Sequence, residues 1–342
     1  MDIPIALSLE HFNTYNKRVL AVDIGGTKAH LALYHFRHGE VEILRDQRFP
    51  SQEYATFQEI LEDFEWDQPR PDSICIAFAG PILNGRAQAT NLPWALDVEQ
   101  MRQELDFYNI HLINDLESNA YGLAGLGEDD IVTIQKGNPE LKGNAGIIAP
   151  GTGLGEAGMY WDGKKLHPFA AEGGHSSFGP RDEVDDAIMK HLRFAHGHVS
   201  WERLVSGMGI WNIYQFLVRQ ADGAQPEWLQ KEIETNPNAI PISKGAKKGN
   251  PTCQRTMKLF FKYLAYESAS LVVKLKATGG LFIGGGVVPK NMELLDVPVF
   301  LEHFRDLGRF RSMIEQIPVH IILNQETALI GAAYYGAFVP NQ

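Results

Sequence analysis

Two segments of this 342-residue chain follow one pattern: an apolar run, a glycine-rich turn and a second apolar run. The first covers residues 19–36 and turns at Asp23-Ile24-Gly25-Gly26-Thr27-Lys28. The second covers 145–161 and turns at Pro150-Gly151-Thr152-Gly153-Leu154-Gly155. An apolar run that breaks on glycine and then resumes reads as a buried strand folding back on its neighbour. The length suits two domains better than one core, and a hairpin of this kind in each half gives each domain a starting point. Identity between the two segments is low, so the architecture repeats more clearly than the residues do.

The rest of the chain is assigned around these hairpins. In the first half, strands are expected at 19–24, 29–36, 41–49, 73–78 and 111–114. Helices are expected over 54–66, from an Asp97 cap to about Leu105, and from about Leu116. Residues 1–18 read as a short extension, with structure starting at Val19. The second half reads as mainly helical, with helices near 182–197, 200–220, 226–234 and 253–277. The stretch 236–251, rich in Pro, Gly, Asn and Lys, reads as an exposed loop. Gly279 to Ile283 is a strand entering the triple turn Gly284-Gly285-Gly286, and 318–323 is a last strand. Glu326 to Phe338, with Ala and Gly along one face, is a closely packed terminal helix. The expected division is a small α/β domain of 1–116 plus 326–342 and a large one of 117–325.

Composition removes several function classes. There are 31 Lys and Arg against 42 Asp and Glu, a formal charge of −11, which disfavours nucleic acid as a partner. The one basic cluster, Lys244, Lys247 and Lys248, reads as a solvated loop. Two cysteines, Cys75 and Cys253, form no C-x-x-C pair, so neither zinc nor a disulfide framework is supported. The apolar run Ile3–Leu9 is too short for a span and lacks a basic flank, and no other run approaches the ~20 residues a span needs. A cytoplasmic protein without a membrane partner is expected.

Three groups of residues carry chemistry. Glycines 25 and 26 let backbone N–H groups close on an anion, Thr27 adds a hydroxyl, Lys28 adds a charge, and Asp23 at the strand end can hold the water shell of a Mg²⁺ ion. The turn at Gly151, Thr152 and Gly153 offers a second cradle. Neither fits the spacing of a Walker loop or a dinucleotide fingerprint. Asn114-Asp115 follows a strand directly, at the end of a sheet where α/β folds bind ligands. Asp115 can act there as a general base toward a hydroxyl attacking phosphorus, or it can simply cap the next helix. Third, Glu172, His175 and Glu202 can clamp a polyol, with Gly173 and Gly174 leaving room for a ligand against the backbone. His191, His196 and His198 straddle a helix end without an acidic companion, and no direct protein coordination of a metal is expected.

Taken in order, these phrases resemble the bacterial-type glucokinases that lack a zinc motif, within the hexokinase/actin-like ATPase superfamily. The resemblance runs from Leu20 to Gly331. It includes Asp23-Ile24-Gly25-Gly26-Thr27, Thr90-Asn91 with Trp94, Ile113-Asn114-Asp115, Gly151-Thr152-Gly153-Leu154-Gly155 and Glu172-Gly173-Gly174-His175. Gly197-His198-Val199-Ser200, Glu202-Arg203, Leu204-Val205-Ser206-Gly207 and Phe282 to Pro289 complete it. It implies an α/β fold of two RNase H-like (actin-like ATPase) domains flanking a cleft that closes on sugar. It implies glucose held by Asn91, Asn114, Asp115, Glu172, His175 and Glu202, with Asp115 as base. ATP and Mg²⁺ would be met by Asp23, the turn at Gly25–Lys28 and the turn at Gly151–Gly153, with Gly284, Gly285 and Gly286 beside adenosine. It also implies a homodimer. Lys28 stands where the glucokinases usually have Asn, which leaves the donor (ATP, ADP or polyphosphate) open. A kinase for mannose, glucosamine or an N-acetyl-hexosamine, and a sugar-responsive regulator on the same fold, are the alternatives.

Overall fold

The computed structural model describes residues 3–88, 92–138, 140–220 and 225–339. Asn91, expected in the sugar site, lies outside the described residues, as does Thr90. The chain divides into two units. One comprises 1–128, 164–170 and 326–342, and the other 129–163 and 171–325.

The first unit is built on five strands: β1 (Asn16–Ile24), β2 (Ala29–Arg37), β3 (Glu40–Phe49), β4 (Ser73–Phe78) and, further along, Ile110–Asn114. Between the last two comes a small antiparallel sheet of β5 (Ile82–Leu83), β6 (Arg86–Gln88) and β7 (Ala95–Asp97), which makes Ile110–Asn114 strand β8. The main order is β3-β2-β1-β4-β8, with β1–β3 antiparallel and β4 and β8 parallel to β1. From Val19 to Val22 strand β1 is continuously apolar and buried because both faces are covered. Leu20, Val22 and Ile24 face Ile60, Phe64 and Trp94. On the other face Gly336 of the C-terminal helix Thr327–Phe338 comes so close that a Cβ would lie 2.7 Å from Val19. Gly331 of that helix packs on the Ser118 carbonyl, and the Ser118 hydroxyl donates to the Ala328 carbonyl at 2.6 Å. The terminal helix therefore uses its small residues for backbone-to-backbone packing, as expected.

The second unit repeats the plan. Strand β9 (Ile131–Gln135) precedes the hairpin of β10 (Ala145–Pro150) and β11 (Leu154–Trp161). Next along the chain is β12 (Leu166–Ala171), whose residues 166–170 count with the first unit and whose Leu166 bridges to Ile5 there; β13 (Gly280–Ile283) and β14 (Val319–Ile322) of the second unit follow. β10 pairs antiparallel with β11 and parallel with β13, which is parallel to β14. The run β11-β10-β13-β14 thus matches β2-β1-β4-β8 in order and direction. The 25-residue helix Pro251–Leu275 carries the core, with Phe260, Tyr263 and Leu264 fully buried.

Five expectations are corrected. Structure begins before Val19: Ile5 and Leu7 are buried, Leu9–Thr14 is a 3-10 turn, and Phe12 packs its ring on Phe36 and Phe338. This segment has no helical or strand period to read, because its apolar residues plug gaps rather than line a face. The helix expected over 200–220 is broken: a short turn at Trp201–Arg203 is followed by the helix Gly207–Val218, capped by Ser206. The loop expected over 236–251 holds the helix Ala239–Lys247, capped by Asn238. Its Gly245 is needed against Cys253, whose Sγ lies 2.6 Å from where a Cβ would be, so glycine marks packing there and not a turn. The basic cluster is accordingly helical, with Lys248 over the Trp228 ring at 4.0 Å. Finally, β11 resumes at Leu154, so Gly155 belongs to a strand and the second turn is only Gly151–Gly153.

Candidate active site

The site residues fall into two sets, one on each unit. In the first unit, β1, β4 and β8 run parallel in the register Ile24↔Phe78↔Asn114, so their carboxyl ends lie side by side. This end of a parallel sheet is where the chain leaves each strand and backbone groups lose their ladder partners. The Gly25 N–H donates to the Lys28 carbonyl at 2.9 Å and closes the turn. Ser51 N–H donates to the Thr27 carbonyl at 3.2 Å, and the Gln52 amide to the Gly26 carbonyl at 3.1 Å. Thr27 and Lys28 are exposed. Asp23, opposite His30 in the β1/β2 register, is half-buried, and burial pushes its carboxyl up to about 6 against a small opposing pull from His30. His30 itself is held by Asp46 at 3.0 Å.

At β8 the helix Asp115–Gly122 begins, and its cap is Asn114, not Asp115. Asn114 Oδ1 accepts the N–H groups of Leu116 (2.9 Å) and Glu117 (3.2 Å), while its Nδ2 donates to the Gly80 carbonyl at 3.3 Å. That leaves Asn114 one amide hydrogen for a ligand. The capping alternative for Asp115 is therefore overturned. Asp115 stands in the first turn of that helix, an acidic residue at the positive end of the helix dipole.

The second unit gathers the remaining residues around the β10/β11 hairpin. Gly151 N–H donates to the Gly153 carbonyl at 2.8 Å, and Gly207 N–H, at the start of the helix Gly207–Val218, donates to the Gly151 carbonyl at 2.8 Å. Glu202 Oε2 accepts the Leu154 N–H at 3.1 Å, next to the turn. The loop Glu172–His175 is stitched to the loop holding Glu202: Phe178 N–H donates to the Val199 carbonyl (2.9 Å) and Trp201 N–H to the Ser176 carbonyl (3.0 Å). The rings of His175 and His198 are 5.5 Å apart, and His198 bonds Ser177. Glu172 and His175 are exposed.

The two glycines of Glu172-Gly173-Gly174-His175 serve a purpose different from the one expected. A Cβ on Gly173 would fall 1.9 Å from Glu156 Oε2, and one on Gly174 would fall 2.1 Å from the Leu154 carbonyl. The space is filled by protein, so the glycines press this loop onto β11 and fix Glu172 and His175 over the hairpin. Glu156 is buried beside Glu267 and the Lys274 ion pair. Burial and the neighbouring carboxylate push the Glu156 carboxyl well above the usual carboxylate range.

Gly284-Gly285-Gly286 abuts the same hairpin. Gly284 N–H donates to the Ile148 carbonyl (2.8 Å) and Val287 N–H to the Pro150 carbonyl (3.1 Å). Only Gly285 of the site glycines sits in the left-handed region, at φ 74°. A cavity of about 940 Å³ opens here, with Gly151, Thr152 and Gly286 on its wall. Met208, Trp211 and Ile240 give it apolar lining, and Ser243, Asn291 and Lys290 give it polar groups. None of these six was singled out from the sequence. Lys290 directly follows the Val287-Val288-Pro289 phrase, and Ile240 and Ser243 sit in the helix read as a loop.

A family model described as Glucokinase matches residues 20–338. The chain belongs to the glucokinase family. It is 37% identical over 336 residues to a glucokinase of Nostoc punctiforme, covering 93% of this chain and 98% of that one. A crystal structure of glucokinase from an Antarctic psychrotroph superposes with a TM-score of 0.79 at 30% identity, over 94% and 98% of the two chains. A glucokinase from Balamuthia mandrillaris in complex with glucose shares the fold, with a TM-score of 0.75 at 22% identity over 95% and 94%. The fold is thus that of the actin-like sugar kinases, as the resemblance implied. Among the described residues no helix is long and apolar enough to cross a membrane.

Proposed function

We propose that this glucokinase-family chain transfers the γ-phosphoryl group of ATP to the 6-hydroxyl of D-glucose. The observation that carries the reading is Glu202 accepting the Leu154 N–H: a carboxylate of the sugar clamp is bonded to the first backbone N–H after the phosphate turn. Acceptor and donor recognition then rest on one contiguous piece of the second unit.

In this reading Glu172, His175 and Glu202 hold sugar hydroxyls, joined by the spare amide hydrogen of Asn114 and by Asn91. Asp115 accepts the proton of the 6-hydroxyl as its oxygen attacks phosphorus in line. Backbone N–H groups of the turns at Gly25–Lys28 and Gly151–Gly153 face the transferred charge without having to reorganise. The chemistry of Asp23 fits Mg²⁺: it is a desolvated carboxylate at a strand end, an oxygen donor for a hydrated hard cation. When bound, Mg²⁺ would neutralise phosphate charge, and Asp23 would hold its water shell. The two-domain division expected from the sequence, a homodimer and a cytoplasmic location belong to the same proposal.

The acceptor test compares kcat/KM for glucose, mannose, glucosamine and N-acetylglucosamine with the purified full chain and ATP. A polar clamp discriminates hydroxyl patterns sharply, so glucose should lead by about tenfold or more. A higher value for another hexose would move the assignment to that sugar. Polyphosphate or ADP outperforming ATP would move the donor.

A further inference from the structure

Three lysines line the 940 Å³ cavity of the second unit: Lys244, Lys247 and Lys290. Two are spoken for. Lys244 pairs with Glu232, and Lys247 pairs with Glu293 at 2.6 Å while donating to the Lys290 carbonyl at 2.9 Å. Lys290 is exposed, and among the described residues no carboxylate pairs with its Nζ. A Cβ on Gly286 would lie 3.5 Å from that Nζ. The glycine is thus the surface over which the ammonium reaches. Gly284–Gly286 is in turn bonded to Ile148 and Pro150, immediately before the Gly151–Gly153 turn.

We propose that Lys290 is a phosphate-binding and donor-specificity residue: its ammonium contacts the diphosphate of the nucleotide whose adenosine occupies the cavity. This rests on the kinase reading above. Charge distribution favours the phosphates over the base. The apolar lining of Met208, Trp211 and Ile240 suits a purine, and the cavity lysine that pairs with no carboxylate among the described residues stands by the glycine turns where anionic oxygens are expected. The backbone of Lys290 is fixed by the Lys247 bond to its carbonyl, and it follows Pro289 at the start of a 3-10 turn, so the side chain leaves a rigid base. The Lys247–Glu293 and Lys244–Glu232 pairs have a role in this arrangement. They keep the other two cations from competing for the diphosphate, so the anion meets a single point charge.

The experiment is calorimetric titration of ADP and of adenosine into the full chain, for the wild type, Lys290→Met and Lys290→Arg. A charge-assisted contact to phosphate is expected to contribute about tenfold or more in affinity. Lys290→Met should bind ADP at least about tenfold more weakly while adenosine binding stays within about twofold. Lys290→Arg should recover most of the loss, and the ATP KM of Lys290→Met should rise in parallel while the glucose KM holds. ADP affinity unchanged in Lys290→Met would overturn the assignment, as would an equal loss for ADP and adenosine, which marks a merely structural role. A wild-type chain that binds neither would overturn the nucleotide reading itself, before any variant is considered.

Discussion

The turn at Gly25–Lys28 and the turn at Gly151–Gly153 leave the same kind of buried strand, yet they are held in different ways. The first is closed by its own Gly25–Lys28 bond and tied down from Ser51 and Gln52. A Cβ on Gly25 would meet nothing nearer than the Lys28 carbonyl at 3.6 Å, an ordinary contact. The second is gripped from three sides: by Gly207, by Glu202 and by the triple-glycine turn. There a Cβ on Gly153 would sit 2.5 Å from Glu202 Oε2, and one on Gly285 would sit 2.4 Å from the Pro150 carbonyl. Glycine in the first turn keeps space for a ligand at Gly25; in the second turn Gly151 is as open, with nothing within 4 Å of a Cβ, while Gly153 and the adjoining Gly285 are consumed by protein. One sequence signal therefore has two physical meanings, and the φ angles separate them no further, since only Gly285 needs positive φ.

Substitutions can break or sharpen this contrast. The largest effect is expected at Gly285→Ala, where a side chain meets both a strained φ and a backbone oxygen. A cost of about 2–5 kcal/mol in denaturant unfolding is expected, and a loss below about 1 kcal/mol would mean the second turn is as loose as the first. Next comes Asp23→Asn. The native carboxyl titrates near 6 against an ordinary 3.8, so the native state holds a proton that the unfolded chain releases across that window. Stability contributed by the protonated group falls as pH rises from about 4 to 6, and at pH 7.5 the native state carries an ionised, desolvated carboxylate. Asp23→Asn should thus raise the unfolding free energy more at pH 7.5 than at pH 4, by at most about 3 kcal/mol, while phosphoryl transfer falls. An equal shift at both pH values would contradict the desolvation argument. The smallest stability effect is expected at Gly25→Ala, within about 0.5 kcal/mol, with any defect confined to the nucleotide KM. An unfolded Gly25→Ala protein would erase the distinction between the two turns.

Much of this was legible in the residues. Strands β1, β2, β4, β8, β10 and β14 announce themselves as apolar runs with Gly or Asn at their end or within two residues of it, and Asp97 caps its helix as its position implies. The repeated hairpin, too, was readable. The limits are equally physical. Gly245 sits inside a helix because Cys253 demands a small neighbour, and Pro241 stands in the first turn of that helix, so composition pointed to a loop. Ile5, Leu7 and Phe12 are buried singly, without a period. Asn114 and Asp115 compete for one cap, and propensity ranks them alike. The structure gives the cap to Asn114 because its side chain also reaches the Gly80 carbonyl. The cavity residues Trp211, Ile240 and Lys290 come from three separated segments, and no local pattern joins them.

The most direct measurement pairs turnover with binding in Asp115→Asn: steady-state formation of glucose 6-phosphate from ATP and glucose, alongside glucose affinity by calorimetry. The account predicts a fall in kcat of about 10²–10⁴-fold, with glucose affinity within a few-fold of wild type. Normal turnover in Asp115→Asn would contradict it.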